Sequence, residues 1–254
     1  ALDQNDSQEN STTIANIQQK IERLKQNKIR YDLLEEKLKA SGEPQISTTD
    51  ADARALLVQG QVVEVSYNIQ AAVDDKHNLI VATHTINRND KNALSAIAIE
   101  AKENLAIETY TALVDKGYHN GREIDSCKQA NITTIVAHPD QGKCNENGTQ
   151  PEYLVSKFTY NKEDNTYTCP QGQILTTTGS WHKKTGRTEE SGYQYQKYRT
   201  PACKTCPVKD RCTSRKGGRE IDRSQYADAV EENHQRYKDN PQRYRKRQEI
   251  NEHI

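Results

Sequence analysis

Four cysteines gather in the second half of the chain: Cys169 in TCPQG, and Cys203, Cys206 and Cys212 in CKTCPVKDRC. A pair at x2 spacing, a third thiol shortly after and a fourth upstream form the donor set of one tetrahedral Zn²⁺ site. The surrounding segment is rich in Gly, Thr, Lys and Tyr and lacks apolar runs. It buries too little surface to order itself, so a bound metal would supply folding energy. A redox pair at Cys203 and Cys206 is the rival reading, and the two additional cysteines argue against it. Four thiolates leave no open coordination position, so such an ion would be structural. Cys127 and Cys144 stand apart and receive no role.

A second candidate lies in ALVDKGYHNGREI, residues 112 to 124. A short apolar run ends on Asp115, with Gly117 and Tyr118 behind it. The carboxylate is either an acid near a helix start or a metal-holding group at the end of a sheet. Gly117 is expected to relieve the turn, and Tyr118 to pack beneath it.

Cations form the third group. Arg211, Arg215 and Lys216 follow the cysteines, and QRYKDNPQRYRKRQEI sets Arg243, Arg245, Lys246 and Arg247 beside Tyr237 and Tyr244. Such runs are either solvated helix faces or phosphate-contacting surfaces that release DNA counterions. Net charge does not decide between them, because Lys+Arg and Asp+Glu are both 36.

These groups need elements to position them. The 254 residues are 28% charged and 33% hydrophobic, with mean hydropathy −1.03. The core must therefore be small or discontinuous. No apolar run approaches the roughly 20 residues that cross a bilayer, and no signal-peptide pattern opens the chain, so a cytoplasmic protein is expected. Methionine is absent and the last residues stop in mid-pattern, which reads as a fragment of a longer frame.

Residues 1 to 12 are polar and expected to be disordered. Ile14, Ile17, Ile21 and Leu24 fall at coiled-coil spacing, and Tyr31, Leu34 and Leu38 continue it with a phase shift. The helix is either packed on its own domain or a dimerising coil. SGEP, residues 41 to 44, should stop it. Residues 60 to 87 read as a β-hairpin turning at DDKHN. NRND can cap a helix over 91 to 104. A strand at TYTALVD, a helix over 119 to 130 and a strand over 133 to 138 follow. The order β-β-α-β-α-β implies an α/β sheet. From Ile221 onward the pattern reads as helix, interrupted at Asn240-Pro241.

Taken in order, TTDADARALL, YNIQAAVDDKHNLIVA, VDKGYHNGREI, TCPQGQIL, CKTCPVKDRC and YRKRQEINEH resemble the DDE transposases of bacterial insertion sequences. The resemblance spans about residues 18 to 254. Ala51, Val114 and Ile254 depart from the family's Pro, Ala and Pro. It implies an RNase H-like mixed sheet with flanking helices over 46 to 138. A zinc-ribbon-like Cys-rich insertion would fill 139 to 220, and a helix over 221 to 254 would complete the core. The coiled segment, 1 to 45, would precede them and could form a homodimer. Asp115 matches the second catalytic Asp and Glu252 the catalytic Glu, which would hold two Mg²⁺ ions for strand cleavage and transfer at transposon ends and target. The first Asp lies in an upstream strand that is not present here; Asp74 matches it by position but aligns with a hairpin-turn residue. The fragment alone is therefore expected to be inactive. The resemblance also implies double-stranded DNA as partner, in a nucleoid-associated setting. Two alternatives stay open: an inactive transposase-derived DNA-binding protein organised by structural zinc, and an RNase H-like nuclease unrelated to transposition.

Overall fold

The computed structural model describes residues 2–58, 62–139, 149–184 and 192–251. The chain divides into two compact units, one holding residues 1–70 and 84–89, the other 71–83 and 90–254.

The first unit opens with α1, Leu2–Ser41. The polar start expected to be disordered is thus helical from Leu2. It contains neither Gly nor Pro, so the propagating helix meets no breaker. Gly42, at φ 67, ends it in the left-handed conformation that glycine adopts without penalty. The side chains of Ile14, Ile17, Ile21 and Leu24 are exposed, so the reading of a helix packed on its own domain fails for this stripe. Beyond α1, β1 (Arg54–Val58) pairs antiparallel with β2 (Val62–Ser66), from Arg54 opposite Ser66 to Val58 opposite Val62. The long first strand expected between residues 63 and 73 is broken at Tyr67. Its first half turns back onto β1, and its second half becomes β3, Asn68–Val73. β3 pairs with β4, Ile80–Ile86.

In the second unit the DDKHN turn closes through Asp74. Its carboxylate accepts from the backbone N–H groups of His77 at 2.9 Å and Leu79 at 2.8 Å. A short 3₁₀ turn, Asp90–Asn92, precedes α2, Leu94–Asn104. The NRND cap is not used. The N-cap is Ala93, which makes no side-chain bond. Buried Glu123 supplies the missing acceptor from another helix, taking Ser95 N–H at 2.8 Å and Ser95 Oγ–H at 2.6 Å. A carboxylate at a helix N-terminus also opposes the positive end of its dipole.

β5 (Tyr110–Val114) and β6 (Ile132–Val136) run parallel, in register from Tyr110 with Ile132 to Val114 with Val136. Their crossover is α3, Gly121–Gln129, capped by the Asn120 side chain accepting from Arg122 N–H. Leu94 and Ala98 of α2, Ile124 and Cys127 of α3, and Ile132 and Val136 of β6 form the core with Ala229. Cys127 is wholly enclosed there, and burial pushes its thiol up to about 12.

The Cys-rich segment holds a second core built from Phe158, Tyr167, Leu175, Tyr198 and Ile221. β7 (Thr159–Asn161), β8 (Thr166–Thr168) and β9 (Ile174–Leu175) form one antiparallel sheet. β10 (His182–Lys183), β11 (Gln194–Tyr198) and β12 (Ile221–Ser224) form another. A single turn, α4 (Lys209–Cys212), carries the last cysteine. β12 corrects the expectation of helix from Ile221: Ile221 and Arg223 point inward and Asp222 outward, the period of a strand. The C-terminal helix pair is α5 (Ala227–Asp239) and α6 (Pro241–Asn251), broken where Asn240-Pro241 predicts.

The result is a mixed α/β protein of small sheets behind a long helix. No helix is long and apolar enough to cross a membrane among the described residues.

Candidate functional site

Asp115 stands at the carboxyl end of β5, on extended backbone at φ −66, ψ 157. It precedes a 3₁₀ turn, Lys116–Tyr118, yet its carboxylate caps nothing. The acid thus stands at a helix start, as the first reading expects, without capping it. The side chain is 51% exposed and meets the guanidinium of Arg247 at 3.5 Å. Gly117 is not in the left-handed region. Its need is space: a Cβ there would stand 3.0 Å from Asp90 Oδ2. Tyr118 packs against the core, and burial raises its phenol to about 12.

Both edges of the β5–β6 pair bear on the site. Asn233 of α5, fully buried, closes the β6 edge. Its amide accepts from Val136 N–H at 3.0 Å and the Thr134 hydroxyl at 3.1 Å, and donates to Val136 C=O at 2.9 Å. Arg236 donates to Thr134 C=O beside it. β5 pairs only with β6 among the described residues. Its other side gives onto a cavity of about 560 Å³ that also reaches Ala71–Asp75, α2 and α6.

That cavity gathers three acids, Asp74, Asp75 and Asp115, with three cations, Arg243, Lys246 and Arg247. Asp74 is committed to its turn, with the His77 ring at 3.1 Å in addition to the two backbone donors. Those bonds, led by Leu79 N–H, hold its carboxyl below the usual range. Asp74 thus serves its turn, as the hairpin-turn alignment implies. Asp75, which sequence reasoning passed over, is exposed and paired with Lys246 at 3.3 Å. Adjacent DD at a hairpin turn was the available signal. Adjacent cations on α6 therefore balance Asp75 and Asp115. Glu252 lies outside the described residues, next after the end of α6.

The four cysteines Cys169, Cys203, Cys206 and Cys212 line one small cavity of about 30 Å³, between Phe158, Leu175 and Arg219. All four are free thiols. Cys169 sits in a tight turn in which Gln173 N–H donates to its Sγ at 3.3 Å and Gly172, at φ 75, reverses the chain. Gly218 packs so closely that a Cβ would lie 2.3 Å from Cys203 Cβ. Burial raises the Cys212 thiol, and the other three thiols add to it. A soft four-sulfur set around a space of that size fits Zn²⁺. Cys144 lies outside the described residues. No group of three or more His, Cys, Asp or Glu among the described residues already stands in ligating geometry.

The cations are unequally free. Arg211 donates to Tyr153 Oη at 3.3 Å, and Arg215 pairs with Glu220 at 2.9 Å. Lys216, Arg243 and Arg245 are exposed.

Residues 168–254 match the family described as Transposase DDE domain. The match takes in the cysteine cavity, β12, α5 and α6, and it implies a transposition-related function for this part of the chain. No curated protein and no solved structure matches.

Proposed function

We propose that the chain is part of a DDE-type transposase that cleaves and transfers DNA strands, with Asp115 and Glu252 as its metal-holding carboxylates. One observation carries the reading. The stretch that matches the transposase domain includes the whole of α6, and α6 lies against β5 with Arg247 at 3.5 Å from Asp115. The helix that leads to Glu252 is therefore already at the carboxyl end of the strand that bears Asp115. Hard oxygen ligands of this kind suit Mg²⁺, which would supply an activated water and a stabilised leaving oxygen. Asp115 is the strand-end carboxylate of the cavity, and its ion-pair partner is Arg247 of α6. The first carboxylate, which the resemblance assigns to an upstream strand, would on this reading lie along the open edge of β5 in the cavity. Arg243, Arg245 and Lys246 would meet DNA phosphates beside it, with Arg211, Arg215 and Lys216 as a second patch next to a structural zinc.

The test is Mg²⁺-dependent nicking of plasmid DNA by a form of the protein extended upstream, alongside DNA retention on filters. Asp115→Asn and Glu252→Gln should each abolish nicking and leave retention intact. Nicking that survives either change overturns the assignment.

The pairing of Asp115 with Arg247 favours a second reading, a DNA-binding derivative without cleavage. It predicts retention of DNA by every form and nicking by none.

A further inference from the structure

Three histidines that the transposase reading does not use come together at the carboxyl ends of the parallel strands. His119 follows the 3₁₀ turn behind Asp115, His138 stands just past β6, and His234 lies on α5. The ring centroids of His119 and His138 are 4.7 Å apart, and those of His138 and His234 5.6 Å.

Each ring is held by structure on either side. His234 follows Asn233, whose amide is bonded into the edge of β6. His119 precedes Asn120, which caps α3 and donates to Lys91 C=O at 2.9 Å and Asn92 Oδ1 at 2.6 Å. His138 donates from Nδ1 to Pro139 C=O at 2.6 Å. That bond fixes the tautomer and leaves the Nε2 lone pair available, the arrangement by which a backbone carbonyl orients a metal-bound histidine. Nε2 of His119 and Nδ1 of His234 are shielded from water and have no hydrogen-bond partner among the described residues. Unsatisfied buried polar atoms are costly, and here two of them occur in one cluster. Burial, reinforced by His138, pushes His119 down to about 4, so its ring is a neutral donor at ordinary pH.

The geometry points to a three-histidine site, formed by His119, His138 and His234, for a late first-row divalent ion such as Zn²⁺, Co²⁺ or Ni²⁺. Imidazole nitrogens suit these ions. Two rings bound to one ion at about 2.0–2.1 Å, with angles between square and trigonal, set their centroids about 4.5–5.5 Å apart. The two spacings from His138, to His119 and to His234, match that range to within about 0.1 Å. The three nitrogens do not yet converge on one point. With His138 held by Pro139 C=O, convergence takes rotation of the His119 and His234 rings about their Cβ–Cγ bonds, a broad and soft torsion in histidine. Lys238, near His234 on the same helix, opposes a cation and makes this site weaker than the four-thiol one. Three protein ligands leave a fourth position open.

The experiment is a Co²⁺ titration of the full chain under reducing conditions, with bound metal counted by atomic emission. Wild type should take two equivalents, one of which gives a sulfur-to-metal charge-transfer band and one of which does not. His138→Ala and His234→Ala should each lose the band-free equivalent and keep the band. Cys206→Ser should do the reverse. Equal metal content in wild type and both histidine variants overturns the site. Should those variants misfold, imidazole nitrogen-15 resonances of wild type decide. All three rings must move as the second equivalent binds, and movement of fewer than three overturns it.

Discussion

Asp115 and Gly218 show how differently two constrained positions read from the sequence. Asp115 could be read from the sequence because an apolar run ending on an acid is unusual, and its reach beyond the turn is visible in the missing cap bond. Gly218 could not be read, because its constraint comes from Cys203, a neighbour in space. At φ 95, with a Cβ position 2.3 Å from Cys203 Cβ, Gly218→Ala both strains the backbone and pushes on a thiol of the four-cysteine cavity. The left-handed conformation alone costs roughly 1–2 kcal/mol for an L-residue. On the proposed four-cysteine zinc reading, the variant should therefore retain less zinc than wild type after dialysis against a mild chelator, whereas Gly217→Ala, which meets nothing, should retain it fully. Equal retention by the two variants would remove Gly218 from the metal site. The histidine cluster was illegible for the same reason as Gly218. His119, His138 and His234 are scattered along the chain, and only the β5–α3–β6 crossover and α5 bring them together.

At the level of elements, the expected order of strands and helices from the hairpin through β6 is present, since each is marked by local periodicity and turn residues. What escaped were devices made between elements. Glu123 caps α2 from α3, and Asn233 substitutes for a strand along β6. Replacing Asn233 with Leu would leave Val136 N–H, Val136 C=O and the Thr134 hydroxyl without that partner in a buried place, at a cost of about 2–4 kcal/mol. Thermal unfolding followed by circular dichroism should show a clear fall in Tm, and an unchanged Tm would mean that water replaces the amide. β12 escaped because one of its two inward residues is Arg223, a type that sequence reading places outside. Arg223 is buried, stacked 3.6 Å from the Tyr160 ring centroid, and bonded to Glu231, Asp228 and the Tyr167 hydroxyl. It thereby ties the small Cys-rich core to α5. Arg223→Met should lower stability by about 2–3 kcal/mol, less than a fully buried pair because both carboxylates are near half exposed. Lys162, and then Arg223, hold Asp228 below its ordinary 3.8. A depressed carboxylate contributes stability above its unfolded value and loses it as pH falls through the folded one. The wild-type advantage over Arg223→Met should hold at neutral pH and shrink below about pH 3.8. An advantage that persists in acid would assign it to stacking on Tyr160 instead.

For the molecule as a whole, the balance of 36 cations and 36 anions means that DNA affinity must come from patches rather than from net charge. For assembly, the element to test is α1. A helix of 40 residues in which Ile14, Ile17, Ile21, Leu24, Ile29 and Leu33 are exposed is poorly supported by itself. Ile14, Ile17, Ile21 and Leu24 recur at three- and four-residue steps, and all four are exposed, as is Tyr31 one heptad beyond Leu24. The occupant that best fits a seam of this period is a second α1, because knobs every three and four residues find complementary holes only on a helix of the same repeat. Lys28 and Glu35 fall in the same register and would place polar stations in that seam, which limits how tightly it closes. Light scattering on the eluting protein should give twice the chain mass at micromolar concentration and one chain mass for Ile17→Lys combined with Leu24→Lys. The double variant should keep its Co²⁺ stoichiometry, since the cysteine and histidine clusters lie in the other compact unit. A wild type that elutes as a single chain at every concentration tested would leave the exposed stripe to a different partner and sink the pairing of α1 with its own copy.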